Sequence, residues 1–514
     1  MSTAKKFAGQ TAIYGLSTIA SRVLPFFLTS VYTRNYPTGA YGVVTTMYSY
    51  VSMVNALLTL GMETTFFRYL NKHSDKKQQV YNNAFASVFV ITILFLVCSL
   101  FFLNDLASFV DVSNAKKLAE RGIKVATVAG TTHADFVKYT MLFVSIVILD
   151  AWCAIPFVKL RAEGRPGRYS TIKMVSVFVF VLFNLSFIYG VPFWIKHQLA
   201  GAAWMSQWYT KGWIGYVFVS ELISSAVTLL LLVPQLVKIR FDFDGAMLLN
   251  MYRYSWPVLI ANLSYLVNEN MDKVLLGKLL PGDPLLDVGT YGACAKIAVF
   301  LSIFVNAFRL GAEPFFFNHA KNKNAGQTYA RIMDYFVIAV CCIFVALIAN
   351  IQILKYFIKG QDVHQTALYW QGLKVIPPLL FGYVSLGIYM NLSVWYKLSD
   401  QTKFGLYISG AGALLTIVLN VIFIPKYSYM ASAWISLIAY TVMMVLSYIW
   451  GQKNYPIPYN LKKNLAYILV SIVFVYLSFY IFKRNIFIGN AFLLLFAGGA
   501  LFFEWKNLKA IFSR

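Results

Sequence analysis

Charged side chains interrupt several otherwise apolar stretches of this sequence, and they are its candidate functional residues. The cations in these stretches are Arg22, Lys273, Lys296 and Arg309. The acids are Glu63, Asp150, Glu221, Glu269, Asp272 and Glu313. An ionisable group inside a membrane-spanning segment is costly, and it normally faces a partner or a water-filled cavity. These residues therefore indicate that a charged ligand, or an ion, is handled in the interior of a membrane protein.

Arg22 is the cation that local pairing explains least well. Its guanidinium group cannot deprotonate in a protein, and no acid lies three or four residues away on either side. We expect Arg22 to need a partner from another helix, water or a bound anion.

The other three cations have structural alternatives. Glu269 and Lys273 are spaced i,i+4 and could pair on one helix face. Arg309 and Glu313 have the same spacing, and a structural pair is the favoured interpretation there. Lys296 could extend its ammonium group toward the membrane surface.

A polar stripe runs along the segment at about 254–277. By helical spacing, Asn262, Glu269 and Lys273 fall on one face of this segment. The same segment also carries Tyr265, Asn268, Asn270 and Asp272. A helix that faces lipid would not carry such a stripe. We therefore expect this segment and the one that contains Arg22 to line a cleft whose cationic walls favour an anionic substrate.

The candidate site follows from these placements. The predicted substrate-binding residues are Arg22, Lys273, Asn262, Glu269, Lys296 and Arg309. The predicted ion-coupling residues are Asp150, Glu221 and Asp272. As an alternative role, Asp150 and Glu221 could each be a buried, protonated carboxyl group bonded to a neighbouring helix.

The amino-acid composition is typical of a membrane protein. The chain has 514 residues, of which 59% are hydrophobic and 12% charged, whereas a soluble protein is about a quarter charged. Disordered, fibrous and soluble enzymatic classes are thereby excluded. Because a helix needs roughly 20 apolar residues to cross a bilayer, the sequence predicts an all-α polytopic membrane protein with fourteen spans. The predicted spans are about 10–33, 42–69, 82–104, 136–158, 171–191, 214–237, 254–277, 291–317, 331–350, 373–396, 405–424, 428–450, 463–482 and 486–503.

The excess of cations predicts orientation rather than nucleic-acid binding. Lys and Arg number 44 against 20 Asp and Glu, a formal charge of +24. When both termini are placed in the cytoplasm, these cations are more frequent in the cytoplasmic loops than in the outer ones. Cytoplasmic loops of membrane proteins usually carry such an excess of Lys and Arg. Arg22 and Pro25 interrupt the first span, so we do not interpret it as a signal peptide. The five cysteines lie in apolar runs without metal-ligand spacing, so we expect no disulfide and no metal site.

An internal repeat joins residues 39–67 to residues 289–317. At a constant offset of 250, nine of 29 positions are identical, where chance would give about two. The identical pairs are Gly39/Gly289, Tyr41/Tyr291, Gly42/Gly292, Ser52/Ser302, Leu60/Leu310, Gly61/Gly311, Glu63/Glu313, Phe66/Phe316 and Phe67/Phe317. The repeat pairs span 2 with span 8, so it predicts two parallel six-helix units, an arrangement seen in secondary transporters. The predicted domains are 1–240, 241–452 and 453–514, the last holding two helices outside the repeat.

The fourteen spans, the duplication and two short motifs together resemble a known family. The motifs are Gly39-x-Tyr41-Gly42 at the start of span 2 and Leu60-Gly61-x-Glu63…Phe67-Arg68 at its end. The chain resembles the Wzx-type polysaccharide-biosynthesis flippases of the multidrug/oligosaccharidyl-lipid/polysaccharide exporter superfamily. The resemblance implies two six-helix bundles in a V around a central cavity, plus two extra helices. It also implies movement of undecaprenyl-pyrophosphate-linked sugar repeat units across the bacterial inner membrane for O-antigen, capsule or exopolysaccharide synthesis.

Further expectations concern energy, partners and rival functions. No cofactor is expected, an H⁺ or Na⁺ gradient could supply the energy, and other polysaccharide-assembly membrane proteins are possible partners. A multidrug exporter and a peptidoglycan-precursor flippase of the same superfamily are the nearest rivals. A membrane glycan polymerase or ligase belongs to another class. All five histidines lie in loops or at loop edges, and there is no phosphate-binding GxxxxGK[ST] motif, so we predict that the protein is not an enzyme.

Overall fold

The computed structural model describes residues 20–512, except 22, 74, 113–130, 241–242, 281–282, 321, 323 and 400. Every regular element in this described part is helical. Twelve of its helices are long and apolar enough to cross a membrane. The predicted all-α membrane class is therefore confirmed.

Fourteen long helices can be followed along the described chain, and we label them α1 to α14. Residues 20–35 form α1, with Arg22 outside the description. The first half continues with α2 (Thr38–Thr59), α3 (Lys77–Phe101), α4 (His133–Ala162), α5 (Pro166–Leu185) and α6 (Gly215–Leu236). The second half contains α7 (Gly245–Leu279), α8 (Pro284–His319), α9 (Ala325–Ala349), α10 (Ile376–Leu392), α11 (Lys403–Tyr427) and α12 (Tyr429–Asn454). The last two are α13 (Leu461–Tyr476) and α14 (Ile486–Phe512).

Because of two of these helices, α7 and α1, the predicted number of spans is not tested. Helix α7 has 35 residues, so it is about 50 Å long and exceeds a bilayer core. It is nevertheless absent from the twelve apolar spans, because asparagines and charged residues interrupt its apolar stretch. Helix α1 is described only from residue 20. The exact number of fourteen spans therefore stays a prediction.

The helices pack as two bundles with an added pair. In the first bundle α6 packs against α4 and α5, and in the second α12 packs against α10 and α11. Nearly all of α10 is buried, so it forms the centre of the second bundle. Helices α13 and α14 both pack against α9. They lie beside the second bundle, outside the repeated unit.

The two copies of the repeat differ where their motifs end. Leu60 and Gly61 have positive φ angles of 52° and 66°, so α2 stops there and a separate helix, Met62–Lys72, follows. A Cβ atom on Gly61 would lie 3.0 Å from the carbonyl oxygen of Ser255 on α7, so only glycine allows this close approach. Helix α8 instead runs without a break past Leu310 and Gly311.

The two bundles touch tightly where α2 and α8 begin. A Cβ atom on Gly42 would collide with the carbonyl group of Leu285, and one on Gly289 would collide with that of Thr38. Hydrogen bonds support this contact, because the side-chain oxygen of Gln365 accepts the backbone N–H of Thr38 at 3.0 Å. This end of the interface between the bundles is therefore closed by backbone contact.

Candidate functional site

A cavity of about 590 Å³ lies between the two bundles. Helices α1, α2, α5 and α6 form one wall, and α7, α8, α10 and α12 form the other. Hydroxyl and amide groups are frequent on both walls. They include Thr29, Ser49, Ser52, Ser176 and Ser224 on the first wall and Asn270, Ser302, Asn306 and Ser436 on the second. Such a surface can hold water and bond to a polar ligand along its whole length.

Two pairs of repeat-related residues face this cavity. Tyr41 and Tyr291 both line it, and so do Ser52 and Ser302. The repeated sequence therefore forms corresponding parts of the two walls.

Among the residues that the structure describes, six Lys, Glu and Asp side chains line the same cavity. The cations are Lys173, Lys273 and Lys296, and the acids are Glu221, Glu269 and Asp272. Four of the six come from α7 and α8, the helices in which the sequence showed the most polar residues.

Lys273 is paired, but not with the acid that its spacing suggested. Its Nζ lies 2.9 Å from Oδ1 of Asp272 and donates to the main-chain oxygen of Glu269 at 2.5 Å. The i,i+4 carboxylate pair between Glu269 and Lys273 is therefore not formed. The lysine folds back along its own helix and takes the carboxylate of the adjacent residue. Most of its charge is neutralised within α7.

Hydroxyl groups from neighbouring helices hold the two α7 acids. Tyr383 of α10 and Tyr440 of α12 donate to the two carboxylate oxygens of Glu269 at 3.3 and 3.0 Å. Tyr291 of α8 donates to Oδ2 of Asp272 at 2.5 Å. These bonds tie α7 to three helices of its own bundle, so the acids are fixed in the wall.

Lys296 is a cavity cation whose charge has no direct partner among the described residues. It makes no hydrogen bond or ion pair with any residue that the structure describes. Its side chain is exposed to the space between the bundles. The predicted alternative, in which it extends toward the membrane surface, does not fit a residue that lines the central cavity. Its ammonium group can donate to a ligand there.

The wall formed by the first bundle has its own acid and cation. Tyr48 of α2 donates to Oε2 of Glu221 at 3.3 Å. The Nζ atom of Lys173 lies 4.3 Å from the ring centre of Phe157, a cation–π contact that leaves its N–H groups free to bond elsewhere. Asp150 is not among the lining residues; it accepts a hydrogen bond from Ser225 at 2.7 Å.

The structure does not bring all the predicted residues together. Asn262 is exposed and absent from the cavity wall. It precedes Glu269 by seven residues, so it lies about 10 Å farther along α7. Arg309 faces a small crevice against α10, beside Phe308 and Lys397. Arg22 lies outside the described residues, and the side chain of Glu313, the proposed partner of Arg309, does too.

Lys173 lines the cavity, although it is not among the site residues predicted from the sequence. Ser176 and Phe180 follow it at i+3 and i+7 and face the cavity as well. That helical spacing is the signal that could have identified it. The tyrosines that hold the acids were not identifiable, because the chain has 34 tyrosines and their partners lie on other helices.

The chain matches models of two known protein families. The sequence model described as "Polysaccharide biosynthesis protein" matches residues 7–316, more than half of the chain. The chain belongs to this family. A second family model, MatE, matches residues 257–422. The resemblance to polysaccharide-biosynthesis flippases of the multidrug/oligosaccharidyl-lipid/polysaccharide exporter superfamily is thus confirmed.

Several solved structures show the same fold as this chain. "Lipid II flippase MurJ, inward closed conformation" has a TM-score of 0.70 at 14% identity, covering 97% of this chain and 100% of that one. An inward-facing multidrug resistance MATE family transporter of the MOP superfamily has a TM-score of 0.59 at 13% identity, covering 86% and 94%. The Vibrio cholerae MATE transporter VcmN in the bent form has a TM-score of 0.51 at 14% identity, covering 90% and 98%. Among curated proteins, none matches the sequence significantly.

Accessibility of the cavity to water is directly testable. We predict that Lys296→Cys, in a protein whose five native cysteines are replaced by alanine, reacts with a small membrane-impermeant thiol reagent when both membrane faces are exposed. Ala298→Cys is the matched control, since Ala298 lies on the same helix and is fully buried. The measurement is the labelled fraction by mass spectrometry. Equal labelling of the two positions would contradict a hydrated cavity at Lys296.

Proposed function

We propose that the protein flips undecaprenyl-pyrophosphate-linked oligosaccharide repeat units from the cytoplasmic to the periplasmic leaflet by alternating access, for surface polysaccharide synthesis. The observation that carries the proposal is the charged, hydroxyl-lined cavity between the two bundles of a transporter fold. The match to the polysaccharide biosynthesis family supports a glycan as the cargo.

The physical task of such a flippase fits the cavity. A lipid tail can remain in the bilayer throughout transport, whereas a pyrophosphate and its sugars cannot cross hydrocarbon without compensation of their lost hydration. The serine, threonine and asparagine side chains of both walls offer hydrogen bonds to sugar hydroxyl groups. Lys296 and Lys173 offer charge to the pyrophosphate.

Among the described residues, which leave out Arg22, the charges of the cavity wall are nearly balanced. Lys273 is neutralised by Asp272 at 2.9 Å, and three acids accompany the three lysines. Binding of an anion therefore depends on Lys296 and Lys173, which make no ion pair among the described residues. A nearly balanced cavity suits transport, because a ligand must leave it as well as enter it.

A peptidoglycan-precursor flippase is the second candidate. The similarity of fold to the lipid II flippase MurJ favours it. An undecaprenyl pyrophosphate is a common feature of the two proposed cargoes, so the cavity suits both, and the glycan must be identified by experiment. Neither proposal includes a chemical reaction in this chain.

Deletion of the gene tests the cargo. We expect undecaprenyl-pyrophosphate-linked repeat units to accumulate and surface polysaccharide to disappear, as measured by mass spectrometry of lipid-linked intermediates. Accumulation of lipid II would instead establish the second candidate. Unchanged intermediates of both kinds would contradict a role as a glycan flippase.

Variants introduced into the deletion strain test the site. We expect Lys296→Gln to reduce surface polysaccharide severely, because a hydrogen bond to a charged group contributes about 1.5–3 kcal/mol, or about ten- to a hundredfold in affinity. Arg309→Gln is the matched control outside the cavity and should restore normal polysaccharide. Equal restoration by both variants would remove Lys296 from the binding site.

We propose that transport is coupled to protons through Glu221, with Asp150 nearby. Glu221 faces the cavity and has one tyrosine donor, whereas Asp272 is held by Lys273 and Tyr291 and fits coupling less well. In liposomes, transport by the Glu221→Gln variant should no longer respond to an imposed pH gradient. A response equal to that of the unchanged protein would contradict proton coupling at Glu221.

We propose that the protein lies in the bacterial inner membrane with both termini in the cytoplasm. The support is the distribution of Lys and Arg among the loops. A reporter that is active only in the periplasm, fused after Arg514, should give no signal. The same reporter inserted in the outer connection between α5 and α6 should be active, and the reverse result would invert the orientation.

A further inference from the structure

A second polar pocket lies between α9 and the start of α13, apart from the central cavity. Its volume is about 370 Å³, which is within the range of small-molecule sites. The polar residues that line it are Gln327, Arg331, Asp334, Tyr335, Asn460 and Lys463. Because α13 lies outside the repeat, the transport proposal gives this pocket no role.

The charged groups at the pocket are balanced but incompletely paired. Nζ of Lys463 lies 3.4 Å from Oδ2 of Asp334 and 2.6 Å from Oε1 of Glu504 on α14. Arg331 precedes Asp334 by one helical turn and is exposed. Its guanidinium group makes no hydrogen bond or ion pair with the described residues. The side chain of Asp334 is 14% exposed, and its buried Oδ1 atom has no donor among the described residues.

The balance of positive and negative charge at the pocket indicates which class of ligand it can bind. With two cations and two carboxylates, the four groups have no net charge. The carboxylates would repel a simple anion, and Arg331 and Lys463 would repel a simple cation. A zwitterion satisfies both needs, since a phosphate can bond to the guanidinium of Arg331 and an ammonium can donate to Asp334. The side-chain oxygen of Asn460 already accepts the backbone N–H of Lys463 at 3.2 Å, so its NH₂ group is the part of this lining side chain that can donate to a ligand.

The position of the pocket indicates a lipid as the source of this zwitterion. Asp334 lies nine residues after the start of α9, about 14 Å along the helix, and Lys463 lies in the first turn of α13. Both helices are long and apolar enough to cross a membrane, so the pocket lies toward one end of two candidate spans, where lipid headgroups are found. On α13, Leu461, Leu465 and Leu469 are 41%, 53% and 60% exposed and form an i,i+4 stripe that starts at the pocket. Acyl chains can pack along this stripe.

We infer that this pocket binds the headgroup of phosphatidylethanolamine, with the phosphate on Arg331 and the ammonium on Asp334. Phosphatidylglycerol has the phosphate but no ammonium. Phosphatidylcholine has a quaternary ammonium that cannot donate a hydrogen bond to Asp334. The site therefore discriminates among the three lipids through one carboxylate.

Native mass spectrometry of the full-length protein tests this inference. Detergent-purified protein is incubated with equal amounts of dioleoyl phosphatidylethanolamine, phosphatidylglycerol and phosphatidylcholine, and the retained lipid is quantified. We expect phosphatidylethanolamine to be retained about tenfold more than the other two. Arg331→Gln should lower the retention of all three lipids, because each has a phosphate, whereas Asp334→Asn should remove the preference for phosphatidylethanolamine. Arg253→Gln changes an exposed arginine elsewhere and should keep it.

Several outcomes would overturn the proposal. They are equal retention of all three lipids, a preference for phosphatidylglycerol, or a total lipid retention that Arg331→Gln leaves unchanged. Displacement of the lipid by soluble phosphoethanolamine at equal concentration would show that a free zwitterion, rather than a lipid, is the ligand. Arg331 makes no polar contact within the described fold, so its variant tests binding even if Asp334→Asn disturbs folding, which thermal melting reports.

Discussion

The cost of placing a charge inside a membrane is the constraint on which the rest of this structure depends. Each ionisable side chain in a span must find a partner or water. Asp272 meets this need for Lys273 at 2.9 Å, and Tyr291 bonds to the same carboxylate from α8. Tyr383 and Tyr440 donate hydrogen bonds to the carboxylate of Glu269. The charges are therefore supported by hydroxyl groups on neighbouring helices, and this support holds the second bundle together around α7.

The same constraint explains the cavity between the bundles. Lys296 has no ion-pair partner in the described structure, and it is acceptable in the membrane only because it faces this space. Glycine at positions 42 and 289 lets the backbones of α2 and α8 meet at one end, which closes the interface there without long side chains. A cavity that is polar along its walls and closed at one end is suited to a headgroup whose tail stays in lipid.

The sequence predicted the helical membrane fold, because hydropathy is a property of the chain alone. Five of the six Lys, Glu and Asp side chains described on the cavity wall were among the predicted site residues. The pairing could not be predicted. Lys273 takes the carboxylate of its sequence neighbour, which helical spacing does not suggest, and the tyrosine partners come from α8, α10 and α12. Asn262 was predicted from helical spacing and Arg309 from its charge, but depth along α7 and the packing of α8 on α10 place them away from the cavity. Lys173 was missed because a cation near a span boundary resembles an orientation signal.

The central claim is that a phosphate-bearing glycan lipid occupies the cavity between the bundles. The most direct measurement is photo-crosslinking in living cells from a photoreactive amino acid placed at Ser52 or Ser302, the repeat-related positions that both line the cavity. The account predicts an adduct with a lipid-linked glycan, identified by mass spectrometry, at both positions and none at the buried Ala298. An active protein that forms no such adduct at either position, or forms it equally at Ala298, would contradict the account.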